Sequence, residues 1–347
     1  MKLKKICICL LKVLLIIFLV LSFNLIMMPK YINENQDGRI IAEMYREKIS
    51  PDVVFIGSST VYSGISPVAL YEGFGLTSYI LASSSQTSWD SYYVLEESLK
   101  HFAPKLVVFD IGFLTTEEDY VEEVSNRKLF DYMRPSLNKY RAVNAAMSEE
   151  IESISSYAFP VLRYHTRYND LSFDDFKYAF YKPNVTYNGY IMSLLMSAEL
   201  PEERSMAEAA DFVLNNKNRD YLMRIITLCK DKDIDLLLIK TPSYQAKWGY
   251  NFETEINNVA IANNLTYIDF DLYSNDMDIN YYTDSPDNGG HLNLLGAEKF
   301  SYYLGNILMS SFDIPDRRVD EKYKSIWEEK VTRYEDDKAK KIEELFQ

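Results

Sequence analysis

The stretch Asp52-Val53-Val54-Phe55-Ile56-Gly57-Ser58-Ser59-Thr60 runs an unbroken apolar segment into a glycine and a serine pair. A short apolar run bounded by turn residues reads as a strand buried on both faces. Four more follow: Ser78–Ala82, leading into Ser83-Ser84-Ser85-Gln86, then Lys105–Asp110, Ile234–Ile239 and Leu265–Asp269. Helical spacing separates them. Tyr92, Leu95, Leu99 and Phe102 share one face of Ser91–Phe102, and Leu222, Ile225, Ile226 and Cys229 share one of Arg219–Lys230; Gly296–Phe312 is a third. Apolar strands alternating with helices predict an α/β fold, a three-layer α/β/α sandwich around a five-stranded parallel sheet. Residues 115–200 interrupt the alternation, are Tyr-rich and mostly helical in pattern, and are expected to form a helical cap insertion over the strand ends.

Outward from this core, 347 residues allow one large domain or two, and 47% hydrophobic with 25% charged residues excludes disorder. Lys+Arg 37 against Asp+Glu 51 gives a net charge of −14, although residues 1–30 hold five lysines and no acid. An acidic body repels phosphate, which argues against nucleic-acid binding. Cys229 is the one body cysteine and there are three histidines. A body disulfide is therefore excluded, as is a zinc site built on four cysteines or on a cysteine pair with a histidine pair. Neither a metal nor a cofactor is expected.

Residues 6–28, ICICLLKVLLIIFLVLSFNLIMM, are long enough to cross a bilayer at 1.5 Å per residue. Lys2, Lys4 and Lys5 precede the run, which predicts a cytoplasmic N-terminus and an extracytoplasmic body. The run exceeds a signal-peptide core and ends FNLIMMPK without a small-residue cleavage site, so an uncleaved, single-pass signal anchor is expected. The expected domains are the anchor at 1–30, a catalytic body at 31–315 and a charged helix at 316–347, solvated or peripheral because no heptad persists.

A serine just beyond a strand's carboxyl end can expose its hydroxyl and lend its own N–H to an oxyanion. Near the other end lies Asp284-Ser285-Pro286-Asp287-Asn288-Gly289-Gly290-His291-Leu292-Asn293, then Gly296-Ala297. An acid a few positions before a histidine supplies a base and the acceptor that fixes its tautomer. His101 reads as a helix end and His165 lies in the insertion, which leaves His291.

Together these blocks resemble the SGNH (GDSL-like) hydrolase superfamily, whose sheet is flavodoxin-like. More narrowly they resemble its membrane-anchored bacterial branch, similar to the D-alanyl-transfer protein of teichoic acid modification and to alginate acetylation proteins. Gly57-Ser58-Ser59 matches the first block, and Asp287, His291, Leu292, Asn293, Gly296 and Ala297 match the last. The resemblance implies Ser59 as nucleophile, His291 as base, Asp287 as acid with Asp284 in reserve, and an oxyanion hole from the N–H groups of Ser59 and Ser85. Phe159–Arg167 resembles a motif of the inserted region. Three departures stand out. Asn288 occupies the place of the acid three before the histidine, Ser85 replaces the second block's glycine, and Phe113-Leu114-Thr115 lacks the third block's asparagine.

The implied function is acyl transfer, as O-acetyltransferase or esterase, on a cell-envelope or exported polysaccharide such as a teichoic-acid-like polymer. A membrane-bound O-acyltransferase is the implied acyl donor and partner. Gln86, Trp89, His165 and Arg167 are candidates for substrate contact, and Trp248, Tyr164, Tyr168, Tyr187 and Tyr190 for sugar stacking; His165 and Arg167 equally suit a structural role. The alternative is a non-catalytic glycan-binding or scaffold protein with the same fold, which the departures favour.

Overall fold

The computed structural model describes residues 2–115, 119–148, 152–197, 199, 213–244 and 249–345. Strands β1 (Val53–Gly57), β2 (Ser78–Ala82), β3 (Leu106–Asp110), β4 (Asp235–Lys240) and β5 (Thr266–Asp269) form one parallel sheet in the order β2-β1-β3-β4-β5. The expected five-stranded α/β sandwich is therefore what the chain builds. Helices α1 (Lys2–Met27) and α2 (Ile40–Met44) precede the sheet. α3 (Ser59–Gly64) and α4 (Pro67–Phe74) lead to β2, and α5 (Ser88–Ser98) leads to β3. The insertion carries α6 (Glu123–Phe130), α7 (Leu137–Ala146), α8 (Ile154–Ala158), α9 (Val161–Tyr164) and α10 (Phe173–Phe180). Then come α11 (Asn216–Asp231), α12 (Tyr250–Ala262), α13 (Leu294–Ser311) and α14 (Glu321–Leu345).

Successive strand side chains point to opposite faces, and both faces are buried, which is why the strands read as continuous apolar runs. Val54, Ile56, Val107, Phe109 and Leu238 pack with residues of α5, α7, α11 and α12. Val53, Phe55, Val108, Leu237 and Ile239 pack with those of α3, α4 and α13. Two helix starts fall earlier than the apolar spacing predicts, because polar caps set them. Thr87 and Asp90 form a reciprocal capping box for α5, and the Asn293 side chain accepts from the Leu295 and Gly296 N–H groups at the start of α13.

The insertion is built onto one side of the sandwich. α7 packs on α5, α6 packs on α7, and α9 and α10 gather around the end of α1. Residues 184–197 then return along the free edge of β2, where the Ile80 N–H donates to the Asn188 carbonyl at 2.9 Å. Reach toward the strand ends comes from α6, whose Lys128 donates to Ser84 Oγ at 3.0 Å, and from residues 193–197, where Ser197 Oγ accepts from the Asn288 N–H at 2.8 Å and the Ser193 carbonyl accepts from the Leu294 N–H at 2.7 Å. The helices of the insertion lie beside the sheet, because Leu129, Phe130, Val143 and Tyr157 belong to the α5 face of the core, while its returning segment reaches the strand ends.

The C-terminal helix is peripheral and anchored by two side chains. Trp327 and Tyr334 of α14 are fully buried, with Trp327 stacked on Tyr71 at 4.9 Å. Ahead of it, Arg317 grips Asp52 with two hydrogen bonds of 2.7 and 2.6 Å, fastening this segment to the start of β1. Asp52 is buried, so removing its cation strands a carboxylate inside the protein. Arg317→Ala is expected to lower stability by about 2–3 kcal/mol, discounted for the partly exposed guanidinium. Chemical denaturation of the full chain in detergent checks this, and an unchanged midpoint would contradict it.

Candidate active site

Gly57 ends β1 at φ 157°, and a Cβ there would lie 2.5 Å from Val61 Cγ2 and 2.8 Å from Asp110 Cβ. Only glycine lets the strand turn into α3 this close to β3. The turn places Ser59 at the first position of α3, beyond the carboxyl edge of the sheet and beside the point where strand order reverses between β1 and β3.

Asp110, at the end of β3, is buried and holds this corner together. Its Oδ2 accepts from Thr60 Oγ1 at 2.7 Å and from Thr241 Oγ1 at 2.8 Å, and its Oδ1 accepts from the Gly112 N–H at 2.8 Å. Burial pushes its carboxyl above the ordinary carboxylate range, and these donors offset part of the rise.

The chain arrives again 232 residues later. His291 Nε2 lies 2.7 Å from Ser59 Oγ, and His291 Nδ1 lies 2.5 Å from Asp287 Oδ2. The other carboxylate oxygen, Oδ1, accepts from the His291 backbone N–H at 2.8 Å. With Nδ1–H directed at a carboxylate, Nε2 is left as acceptor toward the serine hydroxyl. Burial alone would raise the Asp287 carboxyl, but hydrogen bonds and charge from His291 hold it below the ordinary range.

The extra loop residue noticed in the sequence is absorbed by backbone conformation. Asn288 and Gly289 both adopt the left-handed region, at φ 59° and 87°, so four residues close the turn and return the imidazole to the acid. The tip is pinned from β4. The Tyr244 N–H donates to the Gly289 carbonyl at 2.8 Å, and Ser243 Oγ bonds the Gly289 and Gly290 carbonyls. Ser243 in turn donates its N–H to Asp271 at 2.6 Å, and Asp271 pairs with the buried Lys240. Asp284 takes no part: it accepts from Lys299 at 2.8 Å and from the Asn280 N–H at 2.9 Å. Of the two acids, Asp287 is the one that lies against the imidazole.

Ser85 follows β2 on the neighbouring strand exit and is itself left-handed, at φ 54°. That conformation explains why glycine is the residue expected at this place; serine occupies it at a cost of roughly 1–2 kcal/mol. Among the described residues neither the Ser59 nor the Ser85 N–H has a partner. The preceding Ser84 is fixed by Asp37, which accepts from its N–H and hydroxyl and pairs with Lys128.

The four expected contact residues are not assembled here, and their surroundings say why. Gln86 is buried, donating to the Leu81 carbonyl and Ser91 Oγ. Trp89 is fully buried with the Lys217 ammonium 3.8 Å from its ring centre, so it offers no face to a sugar. His165 is exposed in the insertion and contacts the Leu162 carbonyl. Arg167 bonds the Met27 carbonyl at the end of α1 and Asp175. The contacts of His165 and Arg167 are with the insertion and the end of α1. Tyr187 and Tyr190 are buried, Tyr164 bonds Asp131, Tyr168 is exposed on the insertion, and Trp248 lies outside the described residues. Thr60, Asp110, Thr241 and Ser243 escaped the sequence reading because their partners lie on other strands; the one local signal was an acid closing an otherwise apolar strand.

Two outcomes follow from this geometry. A downfield Nδ1 proton resonance from His291 should be visible by NMR, lost in Asp287→Asn and kept in Asp284→Asn. Because the Asp287 carboxyl is depressed, its contribution is complete above the ordinary value of 3.8 and is lost only as pH falls through the lower folded value, so the resonance should persist down to about pH 4. At Ser85, glycine should be tolerated, whereas Ser85→Val should cost about 1–3 kcal/mol by thermal melting, since a β-branched residue resists the left-handed region.

No family model and no curated protein matches this chain. Among solved structures it is similar to a GDSL-like lipase from Bacteroides thetaiotaomicron, at 12% identity and a TM-score of 0.37, over 80% of this chain and 99% of that one. It is also similar to a protein from Bacteroides fragilis described as an acylhydrolase, at 12% identity and a TM-score of 0.36, over 82% and 99%.

Proposed function

We propose that the chain is a serine-dependent acyl-transfer enzyme, an esterase or O-acetyltransferase that works outside the cytoplasm on a cell-envelope or exported polysaccharide. The observation that carries this reading is the continuous line from Ser59 Oγ through both nitrogens of His291 to Asp287. Ser59 Oγ attacks an ester carbonyl carbon while His291 Nε2 takes its proton, and the Asp287 carboxylate stabilises the imidazolium through Nδ1–H. The N–H groups of Ser59 and Ser85 receive the negative oxygen that forms. Collapse expels the alcohol, which takes the proton back from His291 and leaves an acyl ester on Ser59. A second hydroxyl, from a sugar or from water, then gives its proton to His291 and attacks the acyl carbon; as the ester bond to Ser59 breaks, His291 returns that proton to Ser59 Oγ and the free serine is restored.

The side chains of His291 and Asp287 are 33% and 46% exposed, so the reacting atoms sit where a polymer chain can approach. Location outside the cytoplasm is supported by α1, a described helix long and apolar enough to cross a membrane, from Lys4 to Met27. A membrane-bound O-acyltransferase handing over the acyl group is consistent with such an anchor.

The test uses the full-length chain in detergent with a chromogenic acetyl ester. Ser59→Ala and His291→Ala should each lower turnover by about 10⁴-fold or more. Mass spectrometry should find an acetyl increment on the Ser59 peptide that the Ser59→Ala variant lacks. Turnover that survives Ser59→Ala refutes the assignment, and a wild-type chain with neither turnover nor adduct brings the scaffold reading level with it, to be decided by glycan binding.

A further inference from the structure

Helix α10 wears its amphipathic pattern inside out. Asp175 and Ala179 face the protein and are buried, whereas Phe173, Phe176 and Phe180, spaced three and four residues apart, are 80%, 48% and 61% exposed. Phe159, Leu162 and Tyr168, on the segments just before it, are also exposed. A helix of a water-bathed domain turns such a face to the core, and large apolar patches left outside mark an interaction surface.

The position of this patch identifies what covers it. α9, α10 and residues 165–169 all pack against α1. The Val161 N–H donates to Asn24 Oδ1 at 2.9 Å, Arg167 donates to the Met27 carbonyl at 2.6 Å, and Asp175 lies 3.6 Å from Lys30. Tyr132 adds a hydrogen bond to the Pro29 carbonyl at 2.7 Å. The end of α1 is thus locked into the body without a flexible linker. Along α1 the side chains are exposed from Lys4 to Leu21, and cover begins at Ser22. The exposed apolar part, Ile6 to Phe23, is about 27 Å long at 1.5 Å per residue, which matches a hydrocarbon core of about 30 Å. A bilayer crossed by α1 therefore ends at the level where α9 and α10 begin, the depth at which aromatic side chains favour the interface.

We propose that the aromatic face of α10, with Phe159, Leu162 and Tyr168, lies in the interfacial layer of the lipid bilayer that α1 crosses. The body is seated on the membrane surface in one orientation, and the exposed Lys177 stands among the aromatic residues at the level of the lipid phosphates. This inference rests on reading α1 as a membrane-spanning anchor.

The experiment places a single nitroxide on the full-length chain in phosphatidylcholine–phosphatidylglycerol liposomes, in a background carrying Cys7→Ser and Cys9→Ser, with Cys229 buried. Labels go at Phe176→Cys, at Leu14→Cys within α1 and at the water-facing Val319→Cys, which is 84% exposed. Collision rates with oxygen, which concentrates in lipid, and with a polar nickel complex, which stays in water, are the readout. The expected result is a Phe176 label with nickel collisions several-fold below those of Val319 and a raised oxygen rate. A Phe176 label as nickel-accessible as Val319, with Leu14 in lipid, overturns the docking and leaves the anchor standing. Leu14 in water overturns both. A Phe176 label open to nickel in pure-lipid liposomes but shielded in native membrane vesicles assigns the face to a membrane protein, and the lipid proposal falls.

Discussion

A carboxylate buried at the carboxyl edge of the sheet organises this site. Asp110 accepts hydrogen bonds from Thr60 after β1, Thr241 after β4 and the Gly112 N–H after its own strand, so three chain exits converge on one side chain. A buried carboxyl without donors is costly, and each donor it recruits fixes one more loop. Gly57 completes the arrangement, because a side chain there would collide with Asp110 and with α3. The serine hydroxyl is therefore positioned by the sheet itself rather than by a flexible loop.

The histidine arrives by a separate route with its own support. Lys240, buried at the end of β4, pairs with Asp271 just after β5, and Asp271 holds Ser243, which holds the Gly289–Gly290 turn. Burial pushes the Asp271 carboxyl up to about 6, and Lys240 opposes the rise. Two left-handed residues then bring His291 and Asp287 face to face. Neighbouring parallel strands thus position both halves of the site, which lets residues 232 apart in sequence meet within hydrogen-bond distance.

The end of α1 and the site are linked through the same framework. Asp37 lies ten residues beyond the end of α1 and is bonded to Ser84, next to Ser85. At no more than about 3.5 Å per residue, that wall of the site is within about 35 Å of the helix end. The inverted face of α10 and the locked end of α1 make the same geometry rigid.

The five strands, the alternating helices, the apolar N-terminal helix and the Ser59 and His291 loops were legible from the chain alone, because each is written in neighbouring residues: a run of β-branched and aromatic side chains, a Gly-Ser-Ser turn, an acid four before a histidine. Boundaries set by side-chain caps, such as Thr87 with Asp90, were less legible because polar residues override the apolar spacing. What only the tertiary structure decided depends on partners far apart in sequence. Asp287 rather than Asp284 faces the imidazole because Lys299 claims the latter; Trp89 is closed off by Lys217; the helices of the insertion pack beside the sheet while Ser197 reaches the Asn288 turn; and α14 is held by Trp327, Tyr334 and the Arg317–Asp52 pair. Composition and spacing report what a segment can bury, but the partner it buries against is fixed only when distant strands and helices compete for the same space.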